Sequence, residues 1–199
     1  MKKYNYCINC EKKIYDKLIC DDCMEFINKN PAFSYPIDGI EFLEIGATYS
    51  GLLKKILLRF KFNNKLSYEE ILGDIMIEKL LKYNLDDYVI TSVPMTKKRE
   101  DKRGYNQARL LAKYIGRELD LEYVEVFEKI KETPFQVGLG ESERKKNLEN
   151  SFALKNYSEN ILITDDVITT GTTISELVKV ARENGIKKVA AIVTATEIA

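Results

Sequence analysis

Residues 161–173 read ILITDDVITTGTT, a β-rich run that passes through two aspartates into a threonine-rich turn. We predict a buried strand over residues 161–164, with Asp165 and Asp166 at its carboxyl end. The turn over residues 169–173 then opens into a helix over 173–184, and Gly185 follows at the position where glycine commonly ends a helix. Residues 189–195 form a final buried strand.

The turn over residues 169–173 has the composition of a phosphate-binding site. A helix N-terminus presents unpaired N–H groups and the positive end of a dipole, while glycine allows close backbone approach and threonine hydroxyls add donors. Helix initiation explains part of the pattern without a ligand, because Thr173 and Glu176 could form a capping box. The candidate phosphate-binding residues are Thr169, Thr170, Gly171, Thr172 and Thr173.

The paired carboxylates of Asp165 and Asp166 favour a ligand beside the turn. Adjacent carboxylates repel one another unless a cation or a hydroxyl-rich group lies next to them. A ribose diol with Mg²⁺ nearby would satisfy both, although the pair could also simply begin a loop. No GxxxxGK[ST] pattern is present, so the segment is not a Walker A loop.

The rest of the chain alternates helices with strands. Apolar residues at helical spacing predict helices over residues 52–60, 67–83 and 106–119, the second beginning with a possible capping box of Ser67 and Glu70. Strands are predicted over residues 88–93 and 123–127, and a long polar stretch, residues 131–150, lacks a clear period. These patterns predict an α/β fold with a mainly parallel sheet.

All four cysteines lie near the N-terminus, as the two CxxC pairs Cys7–Cys10 and Cys20–Cys23. Four thiolates at this spacing can close around one tetrahedral zinc ion, which would be structural because no ligand position stays open. Two disulfides or four inert thiols are the alternative. We therefore expect a zinc module over residues 1–35, a linker around residues 30–36, and a larger domain over residues 36–199.

Composition narrows the chemistry and the location. The 199-residue chain has no histidine, so no mechanism can use imidazole, and its net charge of zero does not indicate nucleic-acid binding by the molecule as a whole. Neither a signal peptide nor a membrane-spanning stretch is evident, so we expect a cytoplasmic protein.

The motifs together resemble two known groups. The segment ILITDDVITTGTT resembles the signature of type I phosphoribosyltransferases. The cysteine quartet, SVPMTKKREDKRGYNQARLLA at residues 92–112, TPFQ at 133–136 and ERKKNLENSF at 143–152 occur in the order seen in the ComF family of competence proteins. That resemblance covers nearly the whole chain. It implies a type I phosphoribosyltransferase fold with a small four-cysteine zinc module, linked to uptake of single-stranded DNA during natural transformation.

The resemblance also implies roles for particular residues. Asp165 and Asp166 would be catalytic and face the ribose hydroxyls of phosphoribosyl pyrophosphate, bound with Mg²⁺, and residues 169–173 would hold its 5-phosphate. The loop after Val93 would face the pyrophosphate, and residues 131–150 would form a mobile flap. The pyrophosphate and flap candidates are Lys97, Lys98, Arg99, Arg103 and Arg144; either cationic cluster could also be a solvated surface run.

The sequence departs from the resemblance at three points. Thr169 stands where purine-salvage relatives have a third acidic residue, which argues against a hypoxanthine or guanine acceptor. Lys131 replaces a frequent arginine. No catalytic cysteine begins the chain, so the protein is not expected to be a glutamine amidotransferase.

Three functions stay open at this point. A phosphoribosyltransferase would transfer phosphoribose to an unknown small-molecule acceptor. A binding protein would handle single-stranded DNA, through a basic and aromatic stretch that an ordinary amphipathic helix explains equally well. An adaptor would dock a DNA-uptake helicase through its zinc module. That stretch consists of Lys54, Lys55, Arg59, Phe60, Lys61, Phe62 and Lys65.

Overall fold

The protein is described by a computed structural model, which covers residues 4–28, 35–62, 67–131, 148 and 150–197. The elements in chain order are β1 (Tyr4–Tyr6), β2 (Lys13–Tyr15), α1 (Asp21–Asn28), β3 (Leu43–Thr48), α2 (Gly51–Phe62), α3 (Tyr68–Leu80), β4 (Val89–Ser92), α4 (Lys97–Arg103), α5 (Gln107–Leu119), β5 (Phe127–Lys129), β6 (Phe152–Leu154), β7 (Asn160–Ile168), α6 (Thr172–Glu183) and β8 (Lys188–Thr196).

The central sheet has four parallel strands in the order β3-β8-β7-β4. Two antiparallel pairs, β1-β2 and β5-β6, lie outside it. Because parallel strands point the same way, the carboxyl ends of β4 and β7 reach the same edge of the sheet. That edge is where open α/β sheets bind their ligands.

Both faces of the sheet are covered, and side chains alternate between the two layers. Leu162 and Ile192 point into the cluster that contains α2, α3 and α5, whereas Ile163 and Val193 point into the cluster that contains α6 and the β5-β6 pair. Burial on both faces explains the nearly continuous apolar runs of β7 and β8. The predicted α/β class, the parallel sheet and the N-terminal four-cysteine module are confirmed.

The cysteine module packs directly against the larger domain. Cys7, Cys20 and Cys23 belong to the same buried cluster as Phe60 of α2 and Ile71 of α3. A module of this size buries too little surface to fold alone, so this contact gives it apolar support. The linker predicted over residues 30–36 falls mostly outside the described residues, and the domain boundary at residue 35 stays a prediction.

Most helices and strands lie close to where the sequence predicts them. Asn106 caps α5 by accepting a hydrogen bond from the Arg109 N–H, at 3.3 Å. Gly185 follows α6 with φ +79°, as expected for a glycine just past a helix end. The long β3 strand and the short β1, β2 and β6 strands have no equivalent in the sequence prediction. Among the described helices, none has both the length and the apolar character needed to span a membrane.

Two predictions of local structure are wrong. The strand predicted over residues 123–127 is a single bridge from Tyr123 to Ile90, and the regular strand is β5 at Phe127–Lys129. The capping box at the start of α3 does not form, since the Ser67 backbone is itself helical (φ −57°, ψ −11°) and its side chain makes no capping hydrogen bond. Such a backbone cannot place the hydroxyl over the helix N-terminus.

The segment after β4 and the end of β7 also differ from the prediction. Residues 97–103 form the helix α4, which ends at Gly104 with φ +88°, instead of an irregular loop. Asp165 and Asp166 lie inside β7 and not just beyond it, because β8 continues alongside and pairs Asp165 with Val193 and Ile168 with Thr196. Strand length here depends on the partner strand, which the local sequence does not reveal.

Candidate functional site

A pocket of about 340 Å³ opens at the edge where β4 and β7 end. Its lining combines the end of β7, the turn that follows it, the segment after β4 and the first residues of α5. All the predicted ribose and phosphate residues line it: Asp165, Asp166, Thr169, Thr170, Gly171, Thr172 and Thr173. The structure therefore brings these predicted residues together in one cavity.

The turn into α6 is held in a shape that leaves the helix N-terminus available. Gly171 is the N-cap with φ +75°, a conformation that strongly favours glycine. The Tyr35 hydroxyl anchors the turn by donating to the Thr169 carbonyl at 2.9 Å. Among the residues that the structure describes, no side chain caps this helix, so the capping box of Thr173 and Glu176 is not formed. The first N–H groups of α6 can instead meet an anion.

The two carboxylates occupy different electrostatic environments. The Asp166 N–H donates to Asp165 Oδ1 at 2.8 Å. Asp166 Oδ2 lies 3.0 Å from Lys61 Nζ, and the two side chains are only 13% and 19% exposed. Burial, together with the neighbouring Asp166 charge, raises the pKa of Asp165 to about 7. A buried carboxyl group with a strongly raised pKa in a pocket is typical of functional sites.

Lys61 is a site residue that the sequence analysis placed on a nucleic-acid surface instead. Burial acts to lower the pKa of Lys61, but the charge and hydrogen bond of Asp166, together with Asp165 and Tyr49, outweigh burial and raise that pKa. Its ammonium therefore stays charged beside Asp165 and Asp166, which we call the acid pair. No motif of the sequence connects residue 61 with residue 166; the contact exists only because α2 ends beside β7.

The opposite wall of the pocket is cationic and polar. Arg99 and Arg103 line it, and the Arg103 guanidinium donates to Gln107 Oε1 at 2.7 Å. Gln107 is 1% exposed, and among the described residues its amide nitrogen has no hydrogen-bond partner. A buried unpaired donor costs free energy unless a ligand or water satisfies it. Gln107 and Ala108, which begin α5, put a second helix N-terminus at the pocket.

Not all of the predicted cations reach the pocket. Lys97 and Lys98 are exposed on α4, and Lys97 lines a neighbouring cavity of about 800 Å³. Arg144, the TPFQ segment and most of the predicted flap lie outside the described residues. Lys61, Gln107 and Lys129 line the pocket without having been predicted as site residues. Gln107 directly follows the helix cap Asn106, a signal that could have identified it.

The four cysteine sulfur atoms lie within 4.8 Å of one another. Tetrahedral coordination at an M–S distance of about 2.3 Å brings ligand sulfurs to roughly 3.8 Å apart, so the quartet is close to that arrangement. Asn9 donates to Cys23 Sγ at 3.3 Å, and the Cys20 N–H donates to Cys7 Sγ at 3.5 Å. Such N–H···S bonds commonly orient thiolate ligands. The quartet can hold a metal ion.

Substitution of Asp165 and substitution of Asp166 should change the melting temperature in opposite directions. Because its pKa is about 7 in the folded protein and about 3.9 in the unfolded chain, Asp165 binds more protons when folded. Stability is therefore lost as the pH rises from about 4 to about 7. Asp165→Asn should raise the melting temperature, and by more at about pH 8 than at about pH 5.

Asp166→Asn should instead lower the melting temperature at both pH values, because it leaves the buried Lys61 ammonium unpaired, at a cost of roughly 1–3 kcal/mol. Thermal unfolding followed by circular dichroism measures both variants, with Asp38→Asn at an exposed position as the control. Equal shifts for the two site variants would contradict the assigned environments.

Comparison with known proteins finds relatives that are named as competence proteins or as a DNA utilization protein. Competence protein F of Haemophilus influenzae is 29% identical over 203 aligned positions, covering 95% of this chain and 83% of that protein. Competence protein ComFC of Streptococcus pneumoniae is 28% identical, covering 92% and 77%. DNA utilization protein YhgH of Shigella flexneri is 30% identical over 70% of this chain and 65% of its own length, so the chain spans just under two thirds of that relative. No family model matches the chain.

Among solved structures, adenine phosphoribosyltransferase from Thermoanaerobacter pseudethanolicus aligns over 85% of this chain and 86% of its own, with a TM-score of 0.42 and 14% identity. A score this low does not establish a common fold. The sequence relatives carry the assignment: over nearly its whole length this chain is similar to the ComF group of competence proteins, as its motifs predicted.

Proposed function

We propose that this protein binds phosphoribosyl pyrophosphate with Mg²⁺ at the pocket beside β7, and that it acts in the uptake or handling of single-stranded DNA during natural transformation. One observation carries the ligand assignment. A single cavity combines a carboxylate pair with two helix N-termini and two arginines. The names of the relatives, competence protein F, ComFC and DNA utilization protein, support the cellular role.

The pocket suits a ligand with phosphate at both ends and hydroxyls between them. The N-terminus of α6 would take the 5-phosphate, and the acid pair would accept hydrogen bonds from the ribose diol. The diphosphate would lie against Arg99, Arg103 and the start of α5, where the Gln107 amide nitrogen would find its missing acceptor. The resemblance to type I phosphoribosyltransferases implies a donor site of this arrangement.

Mg²⁺ suits this site because it takes oxygen ligands and is usually bound through one or two carboxylates and substrate phosphates. When bound it would neutralise phosphate charge. The protein's own groups would position the sugar: Asp165 and Asp166 at the diol, and the backbone amides of α6 at the phosphate. The arginines of the opposite wall would offset the remaining charge of the diphosphate.

A transferase with an unknown small-molecule acceptor is the second candidate. The cavity of about 800 Å³ adjoins the pocket and shares Pro94, Met95 and Lys129 with it, so an acceptor has room beside the donor site. In such a reaction the cationic wall would stabilise departing pyrophosphate. Thr169 leaves no third acid in the turn, which argues against a hypoxanthine or guanine acceptor. Pyrophosphate release with one acceptor would establish this activity.

The ligand assignment is tested by calorimetric titration with phosphoribosyl pyrophosphate and Mg²⁺. Wild type should bind, and Asp166→Asn should weaken binding at least about 10-fold because the site loses a charged acceptor. Asp165→Asn should weaken it as well, whereas Asp38→Asn should not. Wild-type affinity in both site variants would refute the placement of the ribose.

We propose that the exposed face of α2 binds single-stranded DNA. Lys54, Lys55 and Arg59 are exposed on it, and Phe62 is 66% exposed at its end. Cations beside an exposed ring suit phosphate binding and base stacking. Phe60 is buried and Lys61 points into the pocket, so neither belongs to this face, and Lys65 lies outside the described residues.

Fluorescence anisotropy with a labelled oligothymidylate tests the DNA surface. The double variant Lys54→Glu/Arg59→Glu should bind at least about 10-fold more weakly. The logarithm of its affinity should also fall less steeply with the logarithm of salt concentration, by about 0.7 in slope for each phosphate that the variant no longer neutralises. Phe62→Ala should weaken binding with little change in that slope, because stacking carries no charge. Lys179→Glu on α6 is the matched control. Affinity that does not depend on salt would exclude the proposal.

We propose that the metal of the cysteine quartet is zinc and that the protein is cytoplasmic, where thiolates stay reduced. Since the module shares a buried cluster with α2 and α3, removing the metal with a strong chelator should lower the melting temperature of the whole chain. Elemental analysis and calorimetry check this. Removal of the metal with an unchanged melting temperature would contradict structural zinc.

An adaptor role for the module is favoured by its exposed Tyr6, Tyr15 and Phe26, which could dock a DNA-uptake helicase.

A further inference from the structure

The last three residues of α2 contact both walls of the pocket. The Phe60 carbonyl accepts a hydrogen bond from the Tyr105 hydroxyl, in the segment between α4 and α5. Lys61 Nζ lies 3.0 Å from Asp166 Oδ2 on β7. The Phe62 ring lies 5.4 Å from the Arg103 guanidinium carbon. One helical turn therefore links the sugar-side carboxylates to the cationic wall.

Lys61 occupies the centre of this turn, and its surroundings are mainly acidic. Asp166 contacts it, Asp165 attracts it from the adjacent position of β7, and the Tyr49 hydroxyl is also close enough to interact. Glu197 also lines the pocket. Two largely buried carboxylates next to each other need a compensating cation, and in the protein without ligand this ammonium supplies it.

An ion pair with so little exposure is a poor source of stability, because desolvation offsets most of the Coulomb attraction. A lysine that only filled space at the end of α2 could be replaced by an apolar side chain packed like Phe60. Lys61 instead lines the pocket and pairs its charge with Asp166, which indicates that it takes part in ligand binding.

We propose that Lys61 is a positioning residue that stands in for a divalent cation at the acid pair. Its ammonium holds Asp166 in place and keeps the site from taking up a divalent ion before the phosphorylated sugar arrives. A divalent cation must compete with the tethered ammonium, so cation and sugar phosphate bind together rather than separately. This inference rests on the proposed ligand site and adds to it the expectation that the site alone binds a free divalent ion only weakly.

The test uses Mn²⁺ alone as the probe, because it takes the same oxygen ligands as Mg²⁺ and is observed directly by electron paramagnetic resonance. Lys61→Gln removes the ammonium and should tighten Mn²⁺ binding to the full-length protein at least about 10-fold. Lys61→Arg keeps the charge and should bind Mn²⁺ as weakly as wild type does. The control is Lys179→Gln, at an exposed position on α6.

Two further measurements separate this role from a structural one. The double variant Lys61→Gln/Asp166→Asn should lose the gain in Mn²⁺ affinity, since the vacated carboxylate is gone. Melting temperatures of all variants show whether they are folded, and a Lys61→Gln protein that melts near the temperature of Lys61→Arg excludes unfolding as the cause. Equal Mn²⁺ affinity in Lys61→Gln, Lys61→Arg and wild type would overturn the proposal.

Calorimetry with phosphoribosyl pyrophosphate distinguishes failure of this inference from failure of the proposed function. If wild type binds the sugar phosphate with Mg²⁺ while Lys61→Gln shows no change in Mn²⁺ affinity, the ligand site stands and the role of Lys61 is refuted. If wild type does not bind the sugar phosphate, the proposed ligand is refuted, and the Mn²⁺ series still decides what Lys61 does.

Discussion

The pairing of β7 between β4 and β8 is the constraint on which the rest of the molecule depends. Ile161, Leu162 and Ile163 are fully buried, and their strand has a hydrogen-bonded neighbour on each side. A strand buried on both faces cannot shift its register without placing apolar side chains in the wrong layer. The carboxyl end of β7 is therefore fixed beside the end of β4. Asp165 and Asp166, the turn over residues 169–173, and Arg99 and Arg103 meet at this one edge of the sheet.

This arrangement places two charged side chains close together at a position with little exposure to solvent. Asp165 and Asp166 extend the strand past its apolar half, and their carboxylates lie close together with little exposure. Burial raises the pKa of Asp165, and so does the repulsion from Asp166, which Lys61 and the Asp166 N–H offset only in part. Residues at functional sites often carry such a cost, because selection for binding outweighs the loss of stability. Gln107 shows the same effect on the opposite wall, with a buried donor that the described protein groups leave unsatisfied.

Helix α2 joins the parts of the molecule that the proposed function requires. Its buried side, with Leu57 and Phe60, packs in the cluster that also contains the cysteine module. Its exposed side carries the cations and the ring proposed to bind DNA, and its last turn contacts both walls of the pocket. The cysteine module, the proposed DNA surface and the proposed ligand site therefore all involve residues of this one helix.

The sequence by itself determined the α/β class, the cysteine quartet and the ends of α5 and α6, because each depends on residues close together in the chain. It also identified the acid pair and residues 169–173, since a strand, two carboxylates and a glycine-containing turn follow one another directly. Tertiary structure alone decided the length of β7, which β8 sets by pairing with it, and the helical form of residues 97–103. It also decided that Lys61 lines the pocket while its neighbours Arg59 and Phe62 are exposed. Residues 61 and 166 meet only after the sheet and α2 have packed, and no local pattern records a contact between residues so far apart.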